Sequence, residues 1–204
     1  MEAIKEIKVA CIGDSITAGY GLANRAVERY PAVLQRMLGD EYDVRNYGVS
    51  GTTVLRNSPA AYANMEEWVE ALEFGADIVI VELGGNDLLP GNINCNESSF
   101  SSDYDYLLES IRAFSPEVSL YLTSLTPIDV DFSAGSGYLP FWHNRIQELI
   151  TEIARSHNAT RIDIFTPLKM VMKEGALLFP DGIHPNNTGA TIIAQSVYES
   201  IIKK

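Results

Sequence analysis

The sequence predicts an α/β chain in which five parallel strands form a sheet covered by helices on both faces. Three observations predict it. Apolar strand-like runs alternate with helix-like segments along the chain. Several runs, above all Ile78-Val79-Ile80-Val81-Glu82-Leu83, are apolar at successive positions and so suit strands buried on both faces. The runs also end in small or turn-forming residues, such as Gly13, Gly48, Gly84-Gly85 and Thr126-Pro127. With 204 residues, 46% hydrophobic and 21% charged, and no break in composition, a single domain over 1–204 is expected.

Ile7-Lys8-Val9-Ala10-Cys11-Ile12 reads as the first strand and runs into Gly13-Asp14-Ser15, after which Ile16 to Gly21 is a glycine-bearing loop. A helix follows, with Pro31 suited to its first turn, Tyr30, Leu34, Met37 and Leu38 at helical spacing, and Gly39 at its end. Tyr42 to Tyr47 alternates like an edge strand. Residues 60–73 read as a helix with Tyr62, Met65, Val69 and Leu72 on one face. The run at 78–83 is the central strand. The polar, asparagine-rich segment 88–103 reads as a loop before a helix over 104–114. Val118 to Ser124 is a fourth strand. The glycine-bearing stretch 128–138 precedes a helix from about Pro140 to His157, with Phe141, Ile146, Leu149, Ile150 and Ile153 inward. Arg161 to Ile164 is a short fifth strand, and Pro180 to Pro185 leads to a last helix striped by Ala190, Ile193, Ala194, Val197 and Ile201.

The 15 Lys and Arg against 27 Asp and Glu give a net charge of −12, which opposes nucleic acid and anionic membrane surfaces as partners. No run reaches transmembrane length, and the first residues lack the basic and apolar regions of a signal peptide. As written the chain reads as soluble and cytoplasmic, or as periplasmic or secreted had a leader been removed. Cys11 and Cys95 sit in no metal-binding pattern and read as free thiols.

In a parallel sheet the loops leaving the carboxyl ends of the strands meet on one rim, where ligands bind. Ser15, Gly51, Asn86 and His184 all fall on that rim. A serine hydroxyl becomes a nucleophile when a base takes its proton, and the base needs a third group to fix its tautomer. Asp181 and His184, separated by only two residues in a turn with Gly182 and Pro185, suit those two roles. Attack on a carbonyl builds negative charge on oxygen, which the backbone amides of Ser15 and Gly51 and the side-chain amide of Asn86 are placed to receive. Glycine at 51 would let the backbone approach closely, and the glycine pair before Asn86 would turn it inward.

Gly13-Asp14-Ser15, Gly51 within Asn46 to Gly51, Gly84-Gly85-Asn86-Asp87 and Asp181-Gly182-Ile183-His184-Pro185 resemble, in order and spacing, the four blocks of the SGNH (GDSL-type) esterase and lipase family. Ile16 stands where the leucine of the GDSL name would be. The resemblance implies a flavodoxin-like three-layer α/β/α sandwich with a five-stranded parallel sheet. It implies Ser15 as nucleophile, Asp181 and His184 as its triad partners, and Ser15, Gly51 and Asn86 as the oxyanion hole, with no cofactor and no metal. The general look of the chain, with its short loops and its ending from Phe179 to Asn186, is similar to the small acetylesterases and acylhydrolases of that family. The expected substrate is a short-chain, acetyl-type ester of a small molecule or carbohydrate. A thioesterase or lysophospholipase acting on longer chains is the alternative within that class, and a flavodoxin-like binding module without catalysis is the alternative outside it. The resemblance says nothing of oligomeric state.

Other residues carry plainer expectations. Ser50 begins like a nucleophile elbow, but Thr52 stands where its second glycine would be, so it reads as structural or substrate-facing. Asp14 and Asp87 are expected to fix their loops by accepting backbone N–H groups. Glu82, a charge inside the central strand, needs a partner that the sequence does not name. His143 and His157 are expected in solvated or capping roles. The segment 92–96 and residues 129–138 are candidates to line the acyl or alcohol pocket. Tyr20, Tyr138, Phe141 and Trp142 offer aromatic faces for a sugar.

Overall fold

The computed structural model describes residues 6–89, 96–128 and 140–203, with the backbone alone at 140 and 141. Its elements are β1 (Ile7–Gly13), α1 (Ser15–Ala18), α2 (Arg25–Glu28), α3 (Tyr30–Leu38), β2 (Tyr42–Gly48), α4 (Glu66–Phe74), β3 (Ile78–Glu82), α5 (Glu97–Phe114), β4 (Ser119–Thr123), α6 (Pro140–Ser156), β5 (Thr160–Ile162), α7 (Phe165–Lys173) and α8 (Asn187–Ile202). The strands form one five-stranded sheet in the order β2-β1-β3-β4-β5, and every pair is parallel. That is the flavodoxin-like order, and the connections leave β1 and β3 in opposite directions, which opens a crevice between their carboxyl ends.

The apolar run of β1 is explained by its two covered faces. Side chains alternate across a strand: Ala10 and Ile12 join Val79 and Val81 under Trp68, Phe74, Tyr104 and Ile150, while Val9 and Cys11 join Ile80 under Tyr30, Leu34, Leu168 and Val197. Both faces are dry, so neither can be polar.

Four expectations need correction. The helix expected over 60–73 is a 3₁₀ turn at Tyr62–Asn64 followed by α4, because Met65 is extended. Its buried face is therefore Trp68, Ala71 and Phe74, and Val69 is exposed. The helix expected from Tyr104 begins at Glu97, where Asn96 and Ser99 form a reciprocal capping box. The loop expected over Ile16 to Gly21 opens with the single turn α1. The helix α7 has no counterpart among the expected elements, although the Asp163 side chain accepts the Thr166 N–H at 3.0 Å in the manner of a cap and the buried Leu168 anchors it. Tyr138, Cys95 and the segments 92–95 and 129–138 lie outside the described residues, as does the side chain of Phe141.

Candidate active site

β1 delivers Ser15 to the rim. Gly13 is needed at the strand end for close packing, since a Cβ there would lie 2.0 Å from Thr17 Oγ1 and 2.8 Å from the Glu82 carbonyl oxygen. Asp14 then caps α1, its Oδ1 accepting the Ile16 N–H at 2.9 Å, and Ser15 occupies the first helical position, 6% exposed. The end of β2 braces this turn from one side. Asn46 Nδ2 donates to the Thr17 carbonyl at 2.6 Å, while a Cβ at Gly48 would lie 2.4 Å from the Ala18 nitrogen.

Asp181 and His184 arrive in the turn before α8. Asp181 Oδ1 accepts the Ile183 N–H at 3.0 Å and the His184 N–H at 2.8 Å, and Gly182 takes the left-handed conformation at φ 86° that lets the turn close. Asp181 Oδ2 lies 2.6 Å from His184 Nδ1, and His184 Nε2 lies 2.9 Å from Ser15 Oγ. A carboxylate can only accept, so Nδ1 carries the ring proton and Nε2 is left to accept from the serine hydroxyl. Partial burial pushes the Asp181 carboxyl up, but the His184 backbone N–H, the His184 ring and the Ile183 N–H outweigh it and hold the group below the usual carboxylate range.

The expected oxyanion donors sit nearby. Gly51 has φ +84°, and a Cβ on it would meet nothing within 4 Å. Glycine suits that backbone conformation, which L side chains rarely adopt. Asn86 is turned inward after Gly84, itself at φ +120°. Asn86 Nδ2 donates to the Thr52 carbonyl at 2.9 Å and to Asp14 Oδ2 at 3.2 Å. Ser15, Asn86, Asp14 and Glu82 border one cavity of about 40 Å³, whose apolar wall includes Leu89, Leu125, Ile128 and Ile183.

Asp87 accepts the Val54 and Leu55 N–H groups, each at 3.0 Å, and Asp14 accepts Ile16, so both fix loops as expected. Burial nevertheless pushes each of them up to about 6. Ser50 is exposed. Glu82 finds its partners in Asp14 and in Thr17, whose Oγ1 lies 3.3 Å from Glu82 Oε2. His143 is buried, against the expectation of a solvated or capping role. Its Nε2 lies 2.9 Å from the Thr126 carbonyl, it borders the same cavity as Ser15, and burial lowers its pKa. His157 also departs from that expectation, with Nε2 at 2.7 Å from Asp105 Oδ1. Tyr20 is half-exposed and tilts over His184 with ring centroids 4.5 Å apart. Cys11 is a free, buried thiol. Among the described residues no cluster of three or more His, Cys, Asp or Glu could hold a metal ion, and no helix is long and apolar enough to cross a membrane.

The doubly wound parallel sheet places the chain in the three-layer α/β/α class. The chain belongs to the GDSL-like lipase/acylhydrolase family, which matches residues 11–192, and that is a family of carboxylic ester hydrolases. An acetylxylan esterase of Xylanibacter ruminicola is 32% identical over 217 residues, covering 96% of this chain and 43% of the relative, so the chain spans less than half of that protein. Among solved structures, a lipolytic protein of the G-D-S-L family from Veillonella parvula superposes with a TM-score of 0.74 at 20% identity, covering 97% of this chain and all of the other. A carbohydrate acetylesterase from Sinorhizobium meliloti gives 0.74 at 17% identity, covering 97% of this chain and 99% of the other. At those identities the two structures speak for the fold.

Proposed function

We propose that the chain is a cofactor-independent serine esterase that removes a short acyl group, acetyl above all, from a hydroxylated substrate such as a carbohydrate. The reading rests on the continuous hydrogen-bonded series from Asp181 through His184 to Ser15, 2.6 Å and 2.9 Å long. Ser15 Oγ attacks the ester carbonyl carbon as His184 Nε2 takes its proton, and Asp181 holds the imidazolium that results. The carbonyl π electrons move to oxygen, where the amides of Ser15, Gly51 and Asn86 receive the charge. Collapse expels the alcohol, protonated by His184. Water activated by the same imidazole then attacks the acyl-enzyme and releases the acid.

The short chain is supported by the size of the cavity beside Ser15, about 40 Å³, against the roughly 10–15 Å³ that one water needs. An acetyl group suits that space better than a long acyl chain. The carbohydrate is supported by the acetylxylan esterase relative. Hydrolysis of p-nitrophenyl esters of increasing chain length, with acetylated xylan alongside, tests both halves. Turnover should be abolished in Ser15→Ala and should fall steadily beyond butyrate, and acetate should be released from the xylan. Full activity in Ser15→Ala, a preference for octanoate, or an inert xylan would overturn the serine, the short chain or the carbohydrate respectively.

A further inference from the structure

Two buried acids beneath Ser15 have no part in the proton transfers of that reaction. Gly13 stands in register with Glu82 across the β1–β3 pair, so strand pairing sets Asp14 and Glu82 side by side at the ends of β1 and β3. They are 3% and 2% exposed and hydrogen-bonded to each other. Two carboxyls in contact away from water cannot both be charged. The donors around them decide which keeps the proton. Asp14 receives Ile16 N–H on Oδ1 and Asn86 Nδ2–H on Oδ2, which favours its ionised form, whereas Glu82, among the described residues, has Asp14 and the Thr17 hydroxyl as its hydrogen-bond partners. The groups that act on the pair from the surrounding elements are Tyr30 of α3, Tyr104 of α5, Asp87 next to Asn86, and His184, which favours ionised Asp14 when it is the imidazolium. No lysine or arginine is among them.

We propose that Asp14 and Glu82 are a positioning pair for Asn86: Glu82 keeps its proton and donates it to Asp14, and Asp14, as the carboxylate, orients the Asn86 amide. The inference rests on Asn86 being an oxyanion donor. The Asn86 amide has two hydrogens, one held by the Thr52 carbonyl at 2.9 Å and the other by Asp14 at the longer 3.2 Å. The proton from Glu82 makes Asp14 a weaker acceptor, so the second hydrogen is aimed by Asp14 yet able to turn to the oxyanion. Remove the Glu82 donor and Asp14 either clamps that hydrogen or takes up a proton and releases it; both outcomes slow turnover without touching substrate affinity. Burial acts in the same sense, pushing Glu82 well above the usual carboxyl range and Asp14 only to about 6.

The test is steady-state hydrolysis of p-nitrophenyl acetate by a set of variants. Glu82→Met should lower kcat about tenfold or more with KM within about twofold, and Glu82→Gln, whose amide still donates to Asp14, should recover most of that loss. In an Asn86→Ala background Glu82→Met should change kcat by less than about twofold, because the two act through one group. Wild-type kcat in Glu82→Met, a Glu82→Gln enzyme as slow as Glu82→Met, or the full loss persisting beside Asn86→Ala would each overturn the proposal. Asn86→Ala as fast as wild type would instead remove Asn86 from the oxyanion hole, a different failure. Should Glu82→Met not fold, Asp14→Asn, which keeps a helix-capping oxygen, runs the same cycle and should again be non-additive with Asn86→Ala.

Discussion

Ser15 lies just past the end of an internal strand, 6% exposed, in a turn packed closely through Gly13 and Gly48 and braced by the Asn46 side chain at the Thr17 carbonyl. Asp181 and His184, by contrast, form a pair three residues apart whose side chains are 48% and 17% exposed, and Asp181 is held by hydrogen bonds from its own turn. The proposed nucleophile is held by the fold, and the proposed base and its orienting acid are held by one another. The first arrangement cannot be altered without disturbing the sheet, while the second can be altered almost alone. Activity and stability should therefore separate on the turn and move together beneath the serine.

Ser15→Ala, which removes an atom and adds none, should lower kcat on p-nitrophenyl acetate by about 10⁴-fold or more. Asp181→Asn should lower kcat by about 10³- to 10⁴-fold through the wrong imidazole tautomer, with the thermal midpoint within about 2 °C of wild type, since the carboxylate is half-exposed. A much larger fall in midpoint would show that the turn supports the fold after all. Gly13→Ala reverses the pattern. The added Cβ would collide with Thr17 and with the Glu82 backbone, and overpacking of this kind destabilises by about 1–3 kcal/mol, or roughly 3–10 °C in a chain of this size. A Gly13→Ala chain melting with wild type would mean that α1 shifts freely and the turn that carries Ser15 is not rigid.

The smallest expected effect concerns pH. Asp14 and Asp87 have folded values of about 6, above the ordinary 3.8. At these two groups the folded state thus binds more protons than the unfolded state between about pH 4 and 6, and their contribution to stability falls as pH rises through that window, while the lowered His143 acts in the opposite sense. Thermal unfolding should show a midpoint that climbs as pH is lowered from about 7 to about 5, with a shallower slope in Asp87→Asn. Equal slopes would dissociate Asp87 from this effect.

Much of the frame was legible because it depends on local pattern. Apolar runs marked the strands, Gly39 and Pro31 marked the ends of α3, and Gly13-Asp14-Ser15 with Asp181-Gly182-Ile183-His184 marked the residues that meet at the rim. The start of α5 was hidden by its run of serine and aspartate, which reads as loop until the capping pair Asn96 and Ser99 is recognised. The helix α7 was hidden because Leu168 is its one buried residue, so it carries no apolar stripe like that of α3. The partner of Glu82 could not be read at all, because it follows from the register of two strands far apart in the chain. The burial of His143 was hidden for a similar reason, since only the packing of α6 brings it to the cavity.

Cys11 sits two residues before Gly13 on the strand that carries the serine, and burial pushes its thiol up to about 12. A thiol so placed is protonated and shielded, and it reacts with alkylating reagents only when β1 leaves the sheet. In a Cys95→Ser chain, the rate of its alkylation is thus a clock for the opening of the strand beneath Ser15. Because every opening also displaces Ser15, that clock measures how often the enzyme is briefly without its site.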